Sequence, residues 1–224
     1  LIENHVGFLT PDPRHLTPFS WVKIINTMQK LNSTRRNLSK VVFLDRDGVI
    51  NRDSPGYIKS WSEFEFLPDS LMALKRLTQN GFSIIVITNQ SAVNRGMMSL
   101  KELDFIHTRM QSAVAANNGK ITDIFFCPHR PDESCGCRKP KPELIHQAQH
   151  RYAVDLKSTY MVGDSAKDIE CARQAGCGHA ILVRTGNGIN AETILHERKI
   201  SPDYVAADLD DAANWIIAHD SEHA

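Results

Sequence analysis

Val41-Val42-Phe43-Leu44-Asp45-Arg46-Asp47-Gly48-Val49-Ile50-Asn51 runs an apolar segment directly into two carboxylates and a glycine. A short apolar, β-branched run of this kind reads as a strand buried in a parallel sheet. Ligands of open α/β sheets sit outside the carboxyl ends of such strands, where Asp45 and Asp47 fall. Residues two apart in a strand point the same way, so both carboxylates are expected to face one crevice. Each would raise the other's pKa unless a cation lay between them, and a hard divalent ion, Mg²⁺ by preference, is the simplest partner. An Asp-Gly turn with solvated acids accounts for the same string. So does the Asp-x-Asp of a metal-dependent glycosyltransferase, and the stretch alone does not choose.

Downstream the pattern alternates strand and helix. A polar loop over 52–61 leads to a helix predicted over about 68–80, with Pro68 in its first turn and Gly81 as its stop. An almost purely apolar strand at 82–88 is followed by a helix near 99–118, where Ser99 and Glu102 have capping-box spacing. Further strands are predicted at 121–126, 159–162, 180–183 and 204–206, with helices at 143–153, 166–175 and about 209–218. This is the pattern of an α/β, Rossmann-like parallel sheet with helices on both faces. No interval between its polar motifs is long enough for a large cap domain.

The 224 residues suffice for one sizeable core. Residues 1–40 read as an N-terminal extension without an assigned role, proline-punctuated at first and then helical over 21–31, and residues 41–224 as the main domain. A formally neutral chain with 23% charged residues has no sequence-wide basic field, so neither nucleic acid nor an anionic membrane is an expected partner. No apolar run approaches the ~20 residues of a membrane span and no signal peptide is apparent. A cytoplasmic monomer is the expectation.

Three of the five cysteines crowd into Cys127-Pro128-His129 and Cys135-Gly136-Cys137. Three thiols and an imidazole this close match a closed structural Zn²⁺ site, and the thiolates would repel one another without a metal. A nucleic-acid-binding zinc ribbon would need a basic and aromatic surface that is missing, and a redox pair would leave His129 without purpose. Cys171 and Cys177 read as small buried residues. The cluster is expected to pin the loop carrying Arg138 and Lys139.

The strand ends collect Asp45 and Asp47, Thr88 and Asn89, and Asp164, with Asp168 one helical turn later. Carboxylates for a cation, beside a hydroxyl, backbone amides and a lysine for an anion, describe phosphoryl transfer. A carboxylate can itself be the nucleophile, through an aspartyl-phosphate. A zinc-loop interaction module without catalysis is the reading from another class, but it leaves the carboxylates unexplained.

The ordered set Asp45-Arg46-Asp47-Gly48, Thr88-Asn89-Gln90-Ser91, Arg138-Lys139-Pro140 and Gly163-Asp164 with Asp168 resembles the haloacid dehalogenase-like phosphohydrolases over about residues 41–207. More narrowly, it is similar to the family of D-glycero-D-manno-heptose-1,7-bisphosphate 7-phosphatases, with the histidinol-phosphatases as the rival. Both share such a zinc loop, but Gly56-Tyr57, Ser91 and Arg95-Gly96 favour the heptose family. The resemblance implies Mg²⁺-dependent hydrolysis of a phosphomonoester on a small phosphorylated sugar. It makes Asp45 the nucleophile and Asp47 the general acid and then base, with Thr88 and Lys139 stabilising the transferring phosphoryl. It gives Mg²⁺ to Asp45, the backbone carbonyl of Asp47 and Asp164, and Zn²⁺ to Cys127, His129, Cys135 and Cys137. Arg138 becomes a substrate-recognition residue, joined by Asp53, Gly56, Tyr57, Asn89 and Ser91. The chain departs from the pattern at Ser165, where a lysine is expected, and by one extra residue around Ser54-Pro55.

Overall fold

The computed structural model describes residues 37–222; the helix predicted over 21–31 lies outside them. Six parallel strands, β1 (Val41–Leu44), β2 (Ser83–Asn89), β3 (Ile121–Cys127), β4 (Thr159–Gly163), β5 (His179–Val183) and β6 (Tyr204–Ala206), form one sheet in the order β3-β2-β1-β4-β5-β6. The chain therefore starts at the centre, builds outward through β2 and β3, and returns to the other side of β1 for β4. That reversal of direction beside β1 is where open sheets leave a crevice.

The period-two geometry of β1 sorts its four buried residues between two cores. Val42 and Leu44 pack on one face with Ile84, Val86 and Val162, while Val41 and Phe43 pack on the other with Ile85, Ile87 and Met161. The first face is covered by helices α1 (Ser70–Gln79), α2 (Leu100–Ala116) and α6 (Leu209–Glu222), through residues such as Leu77, Ile106 and Ile216. The second is covered by α3 (Glu143–Tyr152), α4 (Ala166–Ala175) and α5 (Gly188–Glu197), through Ile145, Ile169 and Leu195. Each such buried side chain contributes about 1.5–3 kcal/mol, which is why both faces must be covered and why β1 reads as an unbroken apolar run.

Two elements differ from the sequence expectation. Helix α1 starts at Ser70, not at Pro68: Leu67 to Ser70 form a turn, with both the Ser70 N–H and hydroxyl donating to the Leu67 carbonyl, and Asp69 sits at φ +58°. Helix α5 was not predicted. It opens on Gly188, and its Ile189 is 71% exposed, so its apolar residues do not line up on one face. Between β1 and α1 the chain makes only a loop with one 3₁₀ turn, Trp61–Glu63, and no cap domain stands over the sheet among the described residues. Nor is any described helix long and apolar enough to cross a membrane.

Candidate active site

Strand β1 ends at Leu44, so Asp45 and Asp47 do not belong to it and the period-two argument for their shared direction does not apply. A turn brings them to the crevice instead. The Asp45 N–H donates to the Val162 carbonyl as the last rung toward β4, and the chain then winds about the Arg46 carbonyl, which accepts from the N–H groups of Ile50 and Asn51. Arg46 is driven into the interior with no exposed surface. Its Nη2 donates to both carboxylate oxygens of Asp47, at 2.8 and 2.9 Å, and its Nε to Oδ1 at 3.1 Å.

Asp47 is held further by Asn51 Nδ2 at 2.8 Å and by Gln90 Nε2 at 2.8 Å. Gln90 also donates to the Thr88 hydroxyl at 3.0 Å, linking the β2 end to Asp47. Burial alone would raise the Asp47 pKa, but the Arg46 charge and these hydrogen bonds outweigh it and hold the carboxyl below the usual range.

Asp45 has the opposite balance. One oxygen accepts from the Arg46 N–H at 2.7 Å and the other lies 2.8 Å from Lys139 Nζ. Burial pushes Asp45 up to about 6 against the pull of Lys139. Lys139 is nearly inaccessible; its Nζ donates to the Ile87 carbonyl at 2.8 Å and pairs with Asp168 at 2.6 Å. Burial would depress its pKa, but Asp168 and Asp45 outweigh that and raise it. Asn89 fixes the Lys139 backbone at both groups, accepting from its N–H at 3.1 Å and donating to its carbonyl at 3.3 Å.

Asp164, at the end of β4, is wedged between two glycines, and a Cβ on either Gly48 or Gly186 would lie 2.1 Å from its Oδ2. The Asn187 N–H donates to the same oxygen at 2.8 Å. Burial first, then the charges of Asp168 and Asp45, push Asp164 up to about 8. Carboxylate oxygens of Asp45, Asp164 and Asp168 lie within 4.8 Å of one another. Asp168 is already committed, with one oxygen on Lys139 and the other accepting from the Ser165 N–H and hydroxyl at the start of α4. Lys139 alone thus serves both Asp45 and Asp168, so the three carboxylates together are short of positive charge, and Asp45 and Asp164, as hard oxygen donors, suit a divalent cation.

Asp45, Asp47 and Asp164 floor a cavity of about 530 Å³ lined also by Asp53, Tyr57, Thr88, Asn89, Ser91 and Arg138, whereas Lys139 and Asp168 lie behind its lining. Gly56, expected at the substrate, does not line it: it is exposed on its loop, and its carbonyl accepts from Lys59 Nζ at 2.7 Å. The cavity wall adds Arg95, Lys167 and Arg198, which sequence reasoning did not place there. Arg95 stacks over the Tyr57 ring at 5.8 Å. Lys167 brings a cation to the N-terminus of α4, two positions beyond the serine that stands where a lysine was expected.

In the cysteine cluster, Cys127 Sγ lies 3.5 Å from His129 Nδ1, 3.6 Å from Cys135 Sγ and 3.1 Å from Cys137 Sγ, and His129 Nδ1 is 3.3 Å from Cys137 Sγ. Four converging soft donors fit a tetrahedral Zn²⁺. Arg138 Nη1 donates to the His129 carbonyl at 3.1 Å, so the loop's own backbone aims this side chain into the cavity.

A family model described as HAD-hydrolase-like matches residues 136–212. A D-glycero-beta-D-manno-heptose-1,7-bisphosphate 7-phosphatase from Bordetella bronchiseptica is 46% identical over 149 residues, which cover 66% of this chain and 83% of that protein. The chain belongs to the heptose-1,7-bisphosphate 7-phosphatase family. A second family member, from Pseudomonas aeruginosa and of the same name, is 45% identical over the same shares of the two chains. The crystal structure of the B. bronchiseptica D,D-heptose 1,7-bisphosphate phosphatase, complexed with magnesium and phosphate, superposes with a TM-score of 0.76 at 41% identity, covering 80% of this chain and 99% of that one. In this member of the heptose-bisphosphate phosphatase family, the stretch matched by the HAD-like model runs from the cysteine loop to α6 and so includes Lys139, Asp164 and Asp168.

Proposed function

We propose that this chain is a Mg²⁺-dependent phosphatase that removes the 7-phosphate of D-glycero-D-manno-heptose 1,7-bisphosphate, acting on the β-anomer named for its relatives at 45% and 46% identity. The observation that carries the reading is Asp45, a carboxylate at the end of the central strand with one oxygen on buried Lys139 and Asp164 across from it, opening into the cavity. An Asp45 oxygen attacks phosphorus and the bond to the C7 oxygen breaks, leaving an aspartyl-phosphate. Asp47 gives the departing oxygen its proton, then takes one from the water that attacks phosphorus and frees Asp45 and inorganic phosphate. The hydrogen bonds that keep Asp47 ionised suit the second role. A phosphate group entering beside it raises its proton affinity for the first. Lys139 and the Thr88 hydroxyl stabilise the transferring group, and Arg138, Tyr57, Asp53 and Ser91 meet the sugar.

Asp45, the Asp47 backbone carbonyl and Asp164 would hold Mg²⁺, which supplies the charge that neutralises the phosphoryl oxygens when bound. Cys127, His129, Cys135 and Cys137 would hold a structural Zn²⁺, and all five cysteines are free, as suits a reducing cytoplasm. The enzyme acts as a monomer. The test is turnover of the α- and β-heptose bisphosphates and of histidinol phosphate, with and without Mg²⁺. Faster turnover of histidinol phosphate would replace the substrate assignment, and turnover indifferent to Mg²⁺ would overturn the mechanism.

A further inference from the structure

Arg46 is a fully buried guanidinium directly behind the candidate acid–base residue, and its second contact leads away from the site. Nη2 and Nε grip the Asp47 carboxylate, whereas Nη1 lies 3.4 Å from Nε2 of His107, a buried residue on the inner face of α2. Arginine only donates hydrogen bonds, so Nε2 must be the acceptor and the imidazole must be neutral with its proton on Nδ1. Burial and the adjacent Arg46 charge favour that neutral form, bringing the His107 pKa down to about 3. Phe126 packs edge-on against the ring, with centroids 5.8 Å apart.

We propose that His107 is a positioning residue for catalysis: by holding Nη1 it fixes the rotation of the Arg46 plane, and Arg46 thereby aims the Asp47 carboxylate at the leaving-group oxygen. His107 does not line the cavity. Its influence passes through one rigid fork, whose geometry a point cation could not reproduce. The inference rests on the acid–base role proposed for Asp47.

A distorted acid matters in proportion to how much the leaving group needs a proton. A sugar alkoxide needs one and 4-nitrophenolate does not, whereas a general structural defect slows both substrates alike. His107→Met and His107→Gln have similar length, but only glutamine offers a strong acceptor to Arg46. We expect His107→Met to lower kcat/KM on heptose bisphosphate, which reads formation of the aspartyl-phosphate and not the later water attack common to both substrates, on the order of 10- to 100-fold, within the range of general acid catalysis and of an ångström-scale misplacement. The kcat/KM on 4-nitrophenyl phosphate, whose leaving group needs no acid, should fall less than about threefold on the same principle, and His107→Gln should restore most of the sugar-phosphate value. Arg46→Lys, which keeps the charge and loses the fork, should show the same bias against the sugar substrate and serves if the methionine variant does not fold. Equal losses on both substrates, or no loss on the sugar phosphate, would overturn the positioning role. Asp47→Asn separates the two levels: if it shows no bias against the sugar substrate, the acid–base assignment itself is wrong, and the inference falls with it.

Discussion

Replacing Gly186 by alanine tests the cation site without touching a ligand. The new methyl carbon would stand 2.1 Å from Asp164 Oδ2 and 2.7 Å from the Gly48 Cα, both well inside the closest approach of real Cβ atoms. Backbone lies on one side and the carboxylate on the other, so Asp164 must retreat by about 1 Å, a displacement that costs on the order of 10²-fold in rate at a positioned group. Gly186 also has φ +57°, which adds a backbone penalty of about 1–2 kcal/mol, or roughly 2–8 °C in thermal midpoint for a chain of this size. The control is Gly81→Ala, at φ +84° with nothing within 4 Å of its added carbon. It should lose a similar amount of stability and keep parental turnover. The assay is kcat against Mg²⁺ concentration for both variants, with thermal melts. If Gly186→Ala turns over at the parental rate with the parental Mg²⁺ requirement, the argument that the two glycines seat Asp164 for a cation is wrong.

Asp45→Asn should abolish nearly all turnover while leaving the melting temperature near the parental value, and substantial remaining activity would remove Asp45 as nucleophile. Cys135→Ser should lower bound zinc, thermal midpoint and turnover together, because Cys137 directly precedes Arg138 and Lys139; zinc loss with parental turnover would show that the loop does not position them. Without Mg²⁺ the folded protein holds protons on Asp164 up to about pH 8 and on Asp45 up to about 6, against 3.8 for a free aspartate. The folded state thus binds more protons than the unfolded one between about pH 4 and 8, and stability should fall as pH rises through that window. Asp164→Asn should flatten the fall above pH 6, as should Mg²⁺ in the parent; melting curves with an unchanged slope would contradict the burial of Asp164.

Much of this architecture was legible because local and global signals agree. The run Val41–Leu44 is apolar because both sides of the central strand are covered. The Ser99–Glu102 capping box forms as its spacing implied, each residue bonding the other's backbone N–H. Helix α5 was hidden because its Gly-rich start reads as a loop and its apolar residues are split between core and solvent. The candidate site was legible at the motif residues themselves, since strand ends of a parallel sheet converge. Its supports were not. Nothing in the sequence marks the Arg46 of the first motif as fully buried, and His107 lies on a helix with no sequence link to Asp47. Asp168 reads as an acid one helical turn beyond Asp164, and nothing in its spacing shows that one oxygen holds Lys139 while the other caps α4.

The strand order also dictates when this site can come into being. Val41 pairs with Ser83 on one side but with Thr159 on the other, so β1 has only one neighbour until most of the chain has left the ribosome. Until then Asp45 lacks Asp164, and Lys139 lacks Asp168; closing so long a loop is slow compared with pairing β1 to β2. Catalytic competence is therefore a late event in the life of each molecule. A nascent chain halted before β4 has built half a sheet and a carboxylate that has its lysine but neither Asp164 nor Asp168.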